Sequence, residues 1–136
     1  MVRHGPVIWL VRSAMCALYP GTDGLPGIRD MDLDGYLRRF RRETTPLLWV
    51  GVLAGSFLFA ITPLITIGIP LPAFLLPKGA LDRHAYGITY HRIYLLRQSV
   101  FLVKMAASLY WGARPEVREA FNLPLYPPDP GTFRTR

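Results

Sequence analysis

The sequence predicts an all-α protein, with a few helices around one long apolar helix and an extended, proline-rich tail. Three observations favour this fold. No residue between Pro46 and Pro77 is charged, apolar residues recur at helical spacing on either side of that stretch, and prolines crowd the C-terminus. We divide the chain into N-terminal amphipathic helices and a loop (1–45), an apolar anchoring segment (46–77), an amphipathic helical region (78–123) and an extended tail (124–136).

Composition favours attachment to a membrane or to a partner. The chain has 136 residues, of which 51% are hydrophobic, but so much of this content lies in the anchoring segment that we expect the remainder to lack a core of its own. The net charge of +7 is concentrated beside that segment, which is typical of contact with anionic lipid headgroups. Because motifs of nucleic-acid-binding folds are absent, we expect no nucleic-acid partner. The flanking basic residues are Arg38, Arg39, Arg41, Arg42, Lys78 and Arg83.

The first part of the chain contains two predicted helices joined by a loop. Apolar spacing predicts a helix over Pro6–Tyr19, ended by proline and glycine. The segment Gly21–Gly27 lacks any phosphate-binding pattern and predicts a plain turn. Asp30 or Asp32 is expected to cap the second helix. Its apolar stripe is expected either to rest on a membrane surface or to pack on the first helix; the stripe is Leu33, Tyr36, Leu37 and Phe40.

The anchoring segment predicts one uninterrupted helix over Leu47–Thr62. Thr45 suits its N-cap and Pro46 its first turn, whereas Pro63 either kinks the helix or stops it short of crossing a bilayer. Three interpretations stay open: a complete span, a helix dipping into or lying on the membrane, and a helix buried against a partner. The predicted anchor residues are Leu47, Leu48, Trp49, Leu53, Phe57, Phe59, Ile61, Leu64 and Ile67.

The region after Pro77 predicts further helix. Residues 81–111 favour helix with a break near Gly87, and two cations in its middle, Arg97 and Lys104, make a second span unfavourable. Tyr110 and Trp111 suit an interface. Gly112 is expected to end this helix and a short one is expected to run from Pro115 through Phe121, before the tail with its anchors Tyr126 and Phe133.

Nothing in the sequence predicts chemistry on this chain. His4, His84 and His91 lack metal-ligand spacing and are expected to be solvated or to lie at headgroup level. Cys16 is expected to be a small buried residue. No nucleophile has a neighbouring base, and the carboxylates are explained by helix capping and solvation. We therefore predict no catalytic, cofactor-binding or metal-binding residue.

Residues 76–123 resemble the gluconate 2-dehydrogenase subunit 3-like family of small subunits. The likeness lies in YLLRQ (Tyr94–Gln98), the small and aromatic run Ala106–Trp111 and the ending ARPEVREAFNLP, and the earlier CALYPG and GLPG are similar to the family's opening loop. Members accompany large FAD-dependent dehydrogenases of the glucose-methanol-choline family. The resemblance therefore implies a flavoprotein partner that carries the FAD and the substrate.

These observations together predict a non-catalytic accessory subunit that holds such a dehydrogenase at a membrane, expected to be a bacterial inner membrane. The expected partners are the large flavoprotein and membrane lipid. The residues expected to bind the partner are Tyr94, Arg97, Gln98, Lys104, Tyr110, Trp111 and Tyr126. The alternative is a structural small subunit of a respiratory or photosynthetic membrane complex without a flavoprotein.

Overall fold

A computed structural model describes residues 5–128 and 130–131. Over these residues the chain is all-helical, without a strand, which confirms the all-α prediction. Phe133 and His4 lie outside the described residues. The helices are α1 Pro6–Leu18, α2 Leu33–Glu43, α3 Pro46–Ile61, α4 Pro63–Ile67, α5 Lys78–Thr89, α6 Tyr94–Ala113 and α7 Pro115–Ala120, with 3₁₀ turns at Ile28–Asp30 and Ala73–Leu75.

The loop between α1 and α2 is the plain turn that its glycines predicted. Thr22 and Leu25 exchange two main-chain hydrogen bonds of 3.0 and 3.1 Å. Gly27 lies directly against Gly21, and a Cβ atom on Gly27 would come within 2.4 Å of the Gly21 nitrogen. Glycine is therefore required where the two ends of this turn touch.

Helix α2 turns its apolar stripe toward the protein interior and contacts α1, where Asp34 pairs with Arg12 at 2.8 Å, which confirms packing on the first helix over the membrane-surface alternative. Leu33 and Leu37 are fully buried, and the Tyr36 hydroxyl donates to the carbonyl oxygen of Ala106 at 2.9 Å. The predicted aspartate cap is wrong: Asp32 occupies the N-cap position without a side-chain cap bond, and its carbonyl oxygen instead accepts from the Tyr110 hydroxyl.

Helix α3 begins as predicted and stops short of a span. The Thr45 hydroxyl accepts from the Leu48 N–H at 3.3 Å, with Pro46 in the first turn. At Pro63 the missing N–H ends the helix, and α4 continues for only five residues before Gly68, whose φ of 73° ends it in the left-handed region. The 16 residues of α3 extend about 24 Å, less than the roughly 30 Å of a hydrocarbon core.

No helix among the described residues is long and apolar enough to cross a membrane.

Helix α3 is also part of the protein core, which it shares with the helices on either side of it in the chain. Trp49, Val52 and Phe59 are buried together with residues of α1, α2, α5 and α6. Helix α6 runs antiparallel to α3: a Cβ atom on Gly51 would meet Leu102 at 2.5 Å, and one on Gly55 would meet the carbonyl oxygen of Ser99. The two glycines thus let the helix backbones approach closely.

The break between α5 and α6 falls after Gly87, at residues 90–93. His91 lies in this connection, where its Nδ1 accepts from the Ile93 N–H at 3.1 Å. His84, by contrast, lies on α5, so the two histidines do not share a helix face.

Helix α6 ends at Ala113, one residue beyond the predicted glycine, and α7 confirms the short helix opened by proline. Residues 123–128 have no regular secondary structure.

Candidate interaction surface

The outward side of α3 is a continuous apolar stripe. Its exposed large residues are Leu47, Val50, Phe57 and Ile61, and Leu47 is 82% exposed. At about 100° per residue they fall within an arc of about 80°. The buried residues of α3, among them Val52 and Phe59, lie on the opposite side of the helix. One side of this helix therefore supports the core, while the other faces outward and is not covered by any residue that the structure describes.

A second stripe on α6 lies beside the first. Tyr94, Leu95, Phe101 and Leu109 are exposed. Because α3 and α6 pack side by side through the half-buried pair Gly51 and Leu102, both outward stripes flank the same seam. We call their large aliphatic and phenylalanine residues beyond the first two turns of α6, with the exposed pair of α4, the outer apolar face: Leu47, Val50, Phe57, Ile61, Leu64, Ile65, Phe101 and Leu109.

The structure divides the predicted anchor residues between the two sides of the segment. Leu47, Phe57, Ile61 and Leu64 lie on the outer apolar face. Trp49 and Phe59 are instead buried, and their prediction as anchors is wrong because they fill the core against the other helices. The remaining three, Leu48, Leu53 and Ile67, are half-buried between these positions.

Charged side chains border the outer apolar face, and on α6 the exposed Arg97 lies one helical turn before Phe101. Residues 44–77 contain no charged side chain, and α6 contributes only Arg97 and Lys104. Arg38, Arg41 and Arg42 are exposed on α2, just before α3 begins. Glu43, the last residue of α2, pairs with Arg39 at 3.2 Å, so the charge that remains at the α2 end, beside the uncharged apolar area of α3, is positive.

Three of the predicted partner-binding residues meet at the start of α6. Tyr94, Arg97 and Gln98 are all exposed, and the guanidinium carbon of Arg97 lies 5.6 Å from the centroid of the Tyr94 ring. Lys104 lies elsewhere, half-buried in a cleft of about 270 Å³ that Asp82, Tyr86 and other residues of α1 and α5 line. The structure thus brings together Tyr94, Arg97 and Gln98, and their role in binding a partner stays a prediction.

Tyr110 is buried, so the expectation that it lies at an interface is wrong, whereas Trp111 is half-buried. The Tyr110 hydroxyl donates to the Asp32 carbonyl oxygen, and the Trp111 Nε1–H donates to that of Pro26 at 2.9 Å. Burial raises the pKa of Tyr110, and it raises the pKa of Tyr36 to about 12. These hydrogen bonds hold the α1–α2 loop against α6, because buried aromatic polar atoms need a partner.

Tyr126 marks the start of the tail. Its ring is exposed and lies 4.0 Å from the guanidinium carbon of Arg118, while Arg118 Nε donates to the Pro124 carbonyl oxygen at 2.5 Å. Arginine stacking on an aromatic ring is favourable. The interaction holds the first tail residues beside α7, with Tyr126 itself accessible.

His84 lies in the core, so the expectation that it is solvated or at headgroup level is wrong. It is fully buried; Nε2 lies 2.7 Å from the Phe59 carbonyl oxygen and Nδ1 lies 2.5 Å from the Thr66 hydroxyl. That carbonyl would ordinarily accept from the N–H four residues later, but the residue there is Pro63. A neutral imidazole with its proton on Nε2 therefore replaces the missing helix donor. Desolvation by burial lowers the pKa of His84.

The position of Pro63, four residues after Phe59, was a signal available in the sequence, since it deprives the Phe59 carbonyl of its helix donor and a buried carbonyl needs another.

Cys16, expected to be buried, is half-buried on α1; desolvation raises the pKa of its thiol. Among residues 5–128 and 130–131, no three histidine, cysteine or acidic side chains come together as a metal site.

Comparisons with known proteins found no match to this chain among protein-family models, curated proteins or solved structures. The resemblance to the gluconate 2-dehydrogenase subunit 3-like family therefore stays a prediction.

Proposed function

We propose that this chain is a non-catalytic accessory subunit that holds an FAD-dependent dehydrogenase of the glucose-methanol-choline type at a membrane. The observation that supports attachment is the outer apolar face, where α3 exposes Leu47, Phe57 and Ile61 to the outside. Exposed apolar areas rimmed by polar residues are typical of partner and membrane contacts. The flavin and the substrate would belong to the large subunit, as the family resemblance implies.

The binding site for the large subunit would lie at the first turns of α6. Arg97 is exposed beside Tyr94 and Gln98, and its planar guanidinium suits a carboxylate of the partner. On association the partner would desolvate this charge, so a matching carboxylate is needed to offset the cost. Tyr94 and Gln98 would supply contact area and hydrogen bonds around that ion pair.

Purification from the native membrane in a mild detergent tests the proposal. We expect a large subunit with flavin absorbance to accompany this chain. Arg97→Ala is expected to release the large subunit while this chain stays with the membrane fraction, because the substitution removes the charge that pairs with the partner. Arg83→Ala is the matched control, since Arg83 is an exposed arginine on α5, and it should retain the large subunit.

Two results would contradict the proposal. Recovery of the chain without any flavoprotein would contradict the proposed dehydrogenase partner. Recovery within a multisubunit complex that lacks flavin absorbance would support the structural-subunit alternative. Co-purification that survives Arg97→Ala would remove Arg97 from the interface. Circular dichroism of each variant verifies that helix content is unchanged.

A further inference from the structure

We infer that the outer apolar face lies flat on an anionic lipid surface, with the arginines at the end of α2 contacting the headgroups. This inference rests on the membrane attachment within the proposed function and is independent of the flavoprotein. It names the mode of attachment, which is an in-plane contact through one side of α3, α4 and α6.

The first argument is geometric. The buried side of α3, with Val52 and Phe59, is covered by the other helices, so only its outward arc is available to lipid. A helix that is apolar toward the membrane on one side alone lies in the interfacial plane, roughly 5–10 Å deep, rather than across it. On α6 the exposed Phe101 and Leu109 widen the same contact.

The second argument is charge complementarity. Arg42 precedes Leu47 by five residues, so their Cα atoms are at most about 18 Å apart along the chain. Arg41 and Arg42 are exposed in the last turn of α2, where they are within reach of headgroups that border the apolar face. Anionic lipid attracts such juxtamembrane arginines.

The same charge pattern distinguishes lipid from a second copy of this chain. The residues of the outer apolar face contain no carboxylate, and α3, α4 and α6 contain no acidic residue at all. A second copy packed on this face would therefore offer the arginines no opposite charge from these helices. An anionic lipid surface provides both an apolar layer and a negative headgroup plane.

Flotation of the purified full-length chain with vesicles tests this inference. Phosphatidylcholine vesicles are compared with vesicles that also contain phosphatidylglycerol, at low and at high salt. We expect the anionic vesicles to bind more strongly and high salt to remove most of the difference. Replacing both Arg41 and Arg42 with alanine should weaken binding to anionic vesicles about five-fold per arginine, with little change on neutral vesicles.

Charges placed on the face test the apolar contact. Phe57→Glu and, separately, Val50→Glu should each weaken vesicle binding at least about ten-fold, since burial of one such side chain is lost. Tyr86→Glu is the matched control because Tyr86 is 70% exposed on α5 and lines the separate cleft. Helical circular dichroism shows that each variant folds.

The inference is overturned if anionic vesicles do not bind the chain, or if Phe57→Glu and Val50→Glu bind as tightly as the control. Formation of a stable dimer that both glutamate variants abolish, without vesicle binding, would assign the face to a second copy. Loss of vesicle binding alongside intact co-purification of a flavoprotein would refute this inference alone, whereas the reverse pattern would refute only the dehydrogenase partner.

Discussion

Replacing His84 with leucine should destabilise the fold mainly by leaving one carbonyl unsatisfied. The Phe59 carbonyl oxygen receives the Nε2–H of His84 at 2.7 Å, and Pro63 cannot provide the usual helix donor. An orphaned buried acceptor costs about 1–3 kcal/mol. We therefore expect His84→Leu to lower the free energy of unfolding by that amount, measured by urea unfolding under the detergent conditions used for purification.

A double-mutant cycle with Pro63→Ala tests the reason for this loss. Alanine at position 63 restores an N–H four residues after Phe59, so the helix itself can satisfy the carbonyl. The cost of His84→Leu should then fall by roughly 0.5–3 kcal/mol, the range for coupled neighbours. His84→Gln, whose amide nitrogen keeps a donor, is expected to cost less than leucine in the wild-type background. An equal cost of His84→Leu in both backgrounds would refute the proposed replacement of the helix donor.

Three further predictions use the same unfolding assay. Because burial lowers the pKa of His84 below its unfolded value of about 6.5, the unfolded chain takes up a proton first as the pH falls. Stability contributed by the neutral imidazole should be complete above that value and decline below it, and His84→Gln should remove this part of the pH dependence. Gly55→Ala should cost about 1–3 kcal/mol by overpacking against α6, whereas Gly79→Ala, in open space on α5, should be neutral or stabilising. Thr45→Ala should cost about 1 kcal/mol by removing the N-cap of α3; an unchanged midpoint would show that this bond contributes nothing.

The burial pattern of α3 shows most clearly where sequence reasoning stops. Every residue of the segment is uncharged, so the hydrophobic pattern does not distinguish Phe57, which is exposed, from Phe59, which is buried. In α2 the alternation of arginine with apolar residues made the buried side visible, and Leu33 and Leu37 are indeed in the core. The pair Gly51 and Gly55, spaced as in close helix–helix contacts, was the available signal for the side facing α6.

The polar residues illustrate a second limit. Tyr110 and Trp111 looked suited to an interface, but their hydrogen bonds go to main-chain oxygens about eighty residues away in the chain. Hydrogen bonds between residues so far apart in the chain produce no local sequence pattern. The N-cap bond between Thr45 and Leu48, three residues later, does, and it was predicted correctly. The candidate surface was predicted only in part. The sequence indicated the apolar segment that forms it, but not which residues of that segment face outward.

The sequence by itself determined the all-α class and most helix boundaries, because prolines, glycines and capping side chains act on backbone atoms within one turn. It also determined that one long segment would be apolar. Only the tertiary structure decided that α3 shares its core with the other helices, that His84 satisfies the carbonyl orphaned by Pro63, and that one outward arc stays exposed. These outcomes depend on which distant elements meet, and an apolar residue contributes the same hydrophobic free energy whichever neighbour covers it.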